Sequence, residues 1–232
     1  MVGRKTSLKL RKIHRYLGLF LGIQFLMWTI SGLYFSWTSI DDIHGDQFLN
    51  EDQKPPQFTN LVSPNKLQED IKVESLELRI IADRAYYWIN GEILMDARTG
   101  AVQHGINEEQ ALAVASQHIL PDFTVQSVER LTETGKHDEY RGRPLPAYVI
   151  TYDSDEHLKA YVSMADGSFQ RVRHRAWRWF DFLWMTHTMD YEGRDNFNTI
   201  VLRIFSLMGL ITVLSGFVLW YVSSPTIRKL TK

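Results

Sequence analysis

The chain has 232 residues, 44% of them hydrophobic, with 26 Lys/Arg against 27 Asp/Glu and no cysteine. The missing cysteines exclude disulfides, thiolate metal sites and the C-x-x-C-H attachment of covalent haem, and a net charge of −1 offers no footprint for nucleic acid. That near-neutral total hides a segregation: residues 1–15 carry six Lys/Arg and no acid, residues 223–232 carry three and no acid, and all 27 acids lie between Asp41 and Asp195 in a block of net charge −11.

The first element is a helix from about Leu8 to Trp37. Its 21 residues from Leu17 to Trp37 are free of charge, and at roughly 1.5 Å per residue they reach about 30 Å, the thickness of a bilayer core. The apolar run is longer than that of a signal peptide and no A-x-A-like cleavage site follows, so it reads as an uncleaved anchor. Within it His14, Gly18, Gly22, Phe25, Thr29 and Gly32 share one face, where small residues let a helix or a flat cofactor approach the backbone. Ordinary helix packing accounts for the same pattern.

Residues 38–66 are polar, hold three prolines and show no periodicity, which predicts a linker carrying His44 just outside the membrane. From 73 to 103 the sequence alternates as strands, with a two-residue hairpin turn at Asn90-Gly91 and a second turn at Asp96–Gly100. Asn107 and Gln110 form a capping-box pattern for a helix ending at Pro121. Strands follow at 123–131, 147–152 and 158–163, and Asp166-Gly167 turns into 168–172. Ile93–Val102 and Val162–Phe169 read as one element used twice: strand, acid, glycine turn, strand. The aromatic amphipathic stretch His174–His187 is too short to span a bilayer and is expected at its interface. Ile204–Ser224 is a second charge-free run of 21 residues; in its helix Arg203, Ser206, Gly209, Val213 and Gly216 make a second polar and small stripe.

The fold class is therefore two transmembrane α-helices flanking an α+β domain. The expected segments are a basic segment with the first helix (1–38), a linker (39–64), the α+β domain (65–173), an interfacial segment (174–198), the second helix (199–223) and a basic tail (224–232). Basic flanks belong in the cytoplasm. Both termini are then cytoplasmic in a bacterial inner membrane, with the acidic middle in the periplasm and lipid as the surrounding partner.

Four motifs carry a resemblance: Ile13-His14-Arg15-Tyr16-Leu17-Gly18 with Ser31-Gly32 beyond it, the doubled strand-turn element at Asp96–Gly100 and Asp166-Gly167, Met185-Thr186-His187-Thr188, and Leu214–Trp220. Together they resemble the PepSY-associated transmembrane family over nearly the whole chain. Larger members have four membrane helices and include di-haem reductases of ferric siderophores. This chain departs from them in having two such helices, in Met185 where a leucine is usual, and in lacking a glycine after Thr188.

The resemblance implies non-covalent haem b. His14 is the candidate inner ligand, with Gly18 and Gly22 clearing space and Arg11, Lys12 and Arg15 near the propionates. His187 is the candidate outer ligand, with Arg178, Arg194 and Arg203 as cations, and His44 and His174 are reserves. His14 and His187 lie near opposite membrane faces and cannot share one haem, and two helices cannot enclose a porphyrin; a C2 homodimer forming a four-helix bundle meets both constraints. Electrons would pass from a cytoplasmic or membrane donor to a periplasmic ferric chelate. The competing reading is a membrane-tethered accessory module of chaperone-like or protease-restraining type, without cofactor.

Overall fold

The structure, a computed structural model, describes residues 4–50, 56–63 and 72–224. It divides into a helical unit, Met1–Thr38 with Phe180–Lys232, and a central unit, Ser39–Trp179. The expected basic tail after Ser224 and the start of the α+β domain at 65–71 lie outside the described residues.

The helical unit holds α1 (Arg4–Trp37), most of α4 (Arg175–Thr188) and α5 (Ile200–Ser223). Leu8–Trp37 and Ile200–Ser223 are apolar enough to cross a membrane, with mean hydropathies of 1.5 and 2.1. Their large side chains point outward: Ile23 is 75% exposed and Ile200 72%. A soluble protein's core helix buries such groups, whereas a bilayer solvates them.

The central unit is built from two four-stranded antiparallel meanders. Strands β1 (Leu76–Ile81), β2 (Arg84–Ile89), β3 (Ile93–Asp96) and β4 (Val102–Gln103) form the first sheet in sequence order. Strands β5 (Thr124–Leu131), β6 (Ala147–Asp153), β7 (Lys159–Ser163) and β8 (Phe169–Arg173) form the second in the same way. The element read twice from the sequence occupies the same place in both, the turn between third and fourth strands. Asp96 Oδ1 accepts from the backbone N–H of Arg98 and Thr99 at 2.9 and 2.8 Å, and Asp166 Oδ1 accepts from Ser168 N–H at 3.2 Å. The Asn90-Gly91 hairpin differs slightly from expectation. Ile89 pairs with Ile93 and Glu92 N–H returns to Ile89 C=O at 3.0 Å, so the loop has three residues.

Between the sheets in sequence, α3 (Glu108–His118) starts with the expected capping box: Asn107 Oδ1 accepts from Gln110 N–H at 2.8 Å, and Gln110 Oε1 from Asn107 N–H at 3.0 Å. Its Ala111, Val114 and Ala115 enter one core with Tyr86 of the first sheet and Tyr148 and Val162 of the second. The two sheets close on each other at Gly105, whose φ is +75°: a Cβ there would stand 2.5 Å from the Met164 carbonyl oxygen. No side chain fits that approach.

The expected linker is partly structured. Short helix α2 (Ile40–His44) and a 3-10 turn (Asp46–Phe48) follow α1, and Ile43 and Phe48 are buried at 2% and 7% exposure. Burying each of these side chains contributes about 1.5–3 kcal/mol, enough to fold a segment without periodicity. Further on, Phe58 and Leu61 cover the outer face of the first sheet over Tyr87 and Met95.

The outer face of the second sheet is covered by the β5–β6 loop, where Tyr140 stacks on Tyr161 at 4.6 Å. There Glu139 accepts from Tyr161 Oη and Arg178 Nε, each at 2.7 Å, while Lys159 Nζ lies 3.6 Å away. Burial pushes the Glu139 pKa up, but the Arg178 and Tyr161 hydrogen bonds and the Arg178 and Lys159 charges outweigh it and hold the group below its ordinary 4.5. A depressed carboxyl stabilises the fold fully above the unfolded pKa and loses that contribution as pH falls through the folded value. Acidification from pH 6 towards 3 is therefore expected to lower the thermal midpoint more in wild type than in Glu139→Gln, as read by circular dichroism of the central unit's sheets. Equal acid sensitivity in the two proteins would contradict this assignment.

Candidate functional site

Two histidines of the helical unit stand out because they are held in the same way. His14 Nδ1, on α1, lies 2.7 Å from Ser215 Oγ on α5, and that hydroxyl also lies 2.7 Å from the Thr212 carbonyl oxygen of its own helix. His187 Nδ1, near the end of α4, lies 2.7 Å from Ser31 Oγ on α1, whose hydroxyl lies 2.8 Å from the Met27 carbonyl and 3.1 Å from that of Trp28. Neither ring's Nε2 has a hydrogen-bond partner among the described residues.

The helices place these groups by close packing. Leu21 of α1 is fully buried, Phe20 stacks on Phe205 at 5.7 Å, and the Phe25 ring leaves only 3.2 Å for a Cβ at Gly209. At Gly216 a Cβ would stand 3.4 Å from His14 Cε1, so the glycine beside Ser215 makes room for the imidazole. The contact line on α1 with α5 thus runs through His14, Phe20 and Phe25. Gly18, Gly22 and Gly32 do not serve it: a Cβ at any of the three meets nothing within 4 Å. On α5 the buried residues are Gly209 and Thr212, while Arg203, Ser206 and Val213 of the expected stripe are exposed.

The end of α4 is clasped to α1 at three points. Besides the Ser31 contact, Trp28 Nε1 donates to the His187 carbonyl at 2.9 Å and Gln24 Nε2 to the Thr186 carbonyl at 3.1 Å. These bonds satisfy carbonyls that a helix C-terminus leaves open. Phe35 meets the His187 ring edge-on at 5.6 Å, and burial lowers the pKa of that imidazole, favouring the neutral ring. Beyond Thr188 the chain turns sharply. Asp190 caps the backbone N–H of Glu192, Gly193 and Asn196, and Arg194 Nη1 donates to the buried Asp181 carboxylate.

The other sequence candidates fall elsewhere. Arg194 is paired with Asp181, and Arg178 with Glu139 in the central unit, so both expected propionate partners are already matched with carboxylates. Arg15 is exposed with its guanidinium 5.4 Å from the Tyr16 ring, Arg203 reaches Asn198 Oδ1 at 3.4 Å, and Arg11 donates to Ser223 Oγ at 3.1 Å. His44 is an exposed residue ending α2. His174 is 1% exposed, with Nε2 3.2 Å from the Ile43 carbonyl and its ring edge-on to Phe48 at 5.0 Å; burial lowers its pKa. It is a packing residue of the central unit. His118 stacks flat on Phe169 at 4.4 Å.

The model of the PepSY-associated TM region matches residues 2–224, which covers both membrane helices, the doubled meander and both held histidines. The chain belongs to the PepSY-associated TM family. Neither a curated protein nor a solved structure matches it significantly. With two spanning-length apolar helices, this PepSY-associated chain is a membrane protein.

Ser31 and Ser215 escaped the reading of the PepSY-associated sequence as functional groups. One signal was present: each precedes a glycine inside an apolar helix, Ser31-Gly32 in one and Ser215-Gly216 in the other. The residues present suit a b-type haem on one specific count. Such a ligand needs an imidazole with one nitrogen fixed by a second group and the other open, and both His14 and His187 present that arrangement. Among the described residues no group of three or more His, Asp or Glu gathers as a metal site.

Proposed function

We propose that this chain is a haem-b electron-transfer protein of the bacterial inner membrane, working as a homodimer. The observation that carries the reading is the pair of histidines held by Nδ1 with Nε2 open, at two levels of one helical unit. Their anchors His14 and Ser31 lie 17 positions apart on α1, about 25 Å along the helix axis. That separation supports a reading with two centres, one near each face of the bilayer.

His14 with its symmetry mate would hold the inner group, and the two copies of His187 the outer one. Gly18 and Gly22, open on the face beside His14, leave the flat space a macrocycle requires. Arg15, and Arg11 beside it, supply positive charge for propionates at the inner level, and Arg203 at the outer. Bound haem supplies a one-electron Fe(III)/Fe(II) couple tuned by its axial ligands and surroundings. The chain's own part is to fix both imidazoles and to exclude water with Leu21, Phe25, Trp28 and Phe35. The acidic central block then faces the periplasm, where a ferric chelate is the electron acceptor of this reading.

The test is the absorption spectrum of the detergent-purified protein, oxidised and dithionite-reduced, with pyridine haemochromogen quantitation against protein. A sharp reduced α-band at about one haem per chain, two per dimer, is the expected result. A protein that stays colourless after expression with haem precursor would overturn it and leave the tethered accessory module.

A further inference from the structure

We infer that Ser31 and Ser215 are positioning residues that fix the tautomer of His187 and His14, placing the proton on Nδ1 and the lone pair on Nε2. This rests on the haem reading for its purpose, though its geometry stands without the cofactor. Each serine hydroxyl has a single proton, and two acceptors compete for it: a carbonyl of its own helix and the facing imidazole nitrogen. If the hydroxyl donates to the carbonyl, Nδ1–H donates to the hydroxyl oxygen, and two hydrogen bonds form. If the hydroxyl donates to Nδ1, one bond forms, and the ring proton sits on Nε2, where the described residues supply no acceptor. An unpaired donor in an apolar setting costs about 1–3 kcal/mol, so the first arrangement wins at both sites.

The two relays are built independently. Ser31 lies on α1 and serves α4, while Ser215 lies on α5 and serves α1. Ser31 is fully buried, so water cannot replace it. The consequence is a lone pair set on Nε2 before any ligand arrives. The partner is also a neutral hydroxyl and not a carboxylate. It withdraws less of the Nδ1 proton and leaves the ring a weaker donor than an acid-backed histidine.

The test is nitrogen NMR of the full chain, labelled with 15N-histidine and purified without haem, at a pH where the rings are neutral. The His14 and His187 rings, assigned by their loss in His14→Ala and His187→Ala, are expected with Nδ1 protonated, beside that of His118, whose Nδ1 faces the Val114 carbonyl at 2.9 Å. Ser215→Ala should move only the His14 ring toward the Nε2–H form, and Ser31→Ala only that of His187, while Ser→Thr at either site keeps the wild-type tautomer. Nε2–H in wild type, or rings indifferent to removal of the serines, would overturn the inference. In haem-loaded protein, Ser31→Ala should raise the midpoint potential of the outer centre alone; unchanged potentials in both serine variants would count against the relay. A colourless protein with serine-dependent tautomers sinks the haem reading and leaves the serine assignment standing. A pigmented protein with serine-independent tautomers does the reverse.

Discussion

Replacing His187 by alanine is expected to remove about half of the reduced haem absorption, His14→Ala the other half, and the double variant nearly all of it. Axial ligation is what retains a non-covalent haem in a cysteine-free chain. The two sites lie about 25 Å apart along α1, well beyond the roughly 7–10 Å over which substitutions couple, so the losses should add. Electron passage should fall to background in either single variant, because each removes one of two centres in series. His187→Gly with added imidazole supplies the control for folding, since the free ring can occupy the vacated space and restore the band. Pigment that survives loss of both His14 and His187 but disappears with His44→Ala or His174→Ala would refute the assignment.

Asp181→Ala is expected to cost about 3–5 kcal/mol, because it takes a carboxylate away from the buried Arg194 guanidinium. The Asp181 and Arg194 side chains are 6% and 16% exposed, too dry for water to compensate. A loss of that size corresponds to a fall of about 10 °C in the thermal midpoint for a chain of this length, measurable by differential scanning fluorimetry in detergent. Replacing both partners, Asp181→Leu with Arg194→Met, should recover much of it, since an apolar pair of similar volume avoids the stranded charge. If the single variant melts with wild type, the pair is a surface contact of little weight. Asp181 precedes His187 on the same helix, so the single variant should also broaden the outer haem's reduced band.

Much of this architecture is legible from local chemistry. The Asn107–Gln110 capping box, the acid-and-glycine turns at Asp96 and Asp166 and the two charge-free runs each rest on residues close in sequence, and a short-range signal survives into the fold. What was missed depends on distant partners. Residues 40–48 lack periodicity because Ile43 is buried singly and Phe48 fills one place in a core assembled from strands and a helix far along the chain. The small-residue stripe on α1 admits a helix or a flat cofactor, and sequence alone does not say where each would lie: α5 meets it at His14 and Phe25 and leaves Gly18 and Gly22 open. His14 and His187 were legible as residues, but their holders were not. A serine in an apolar helix looks the same whether it bonds only its own backbone or also a ring 156 or 201 positions away.

The length of α1 between its two polar contacts has an electrical meaning. A bilayer core is roughly 30 Å thick, and the levels of His14 and Ser31 are about 25 Å apart, so an electron moved from one to the other traverses most of the membrane field. Each 100 mV across a membrane is worth about 2.3 kcal/mol per elementary charge. In the proposed orientation His14 lies on the negative side, so the field pushes the electron outward. The same helix that anchors the chain would place its redox span in series with the cell's resting voltage, and collapsing that voltage would slow outward transfer with every ligand and contact unchanged.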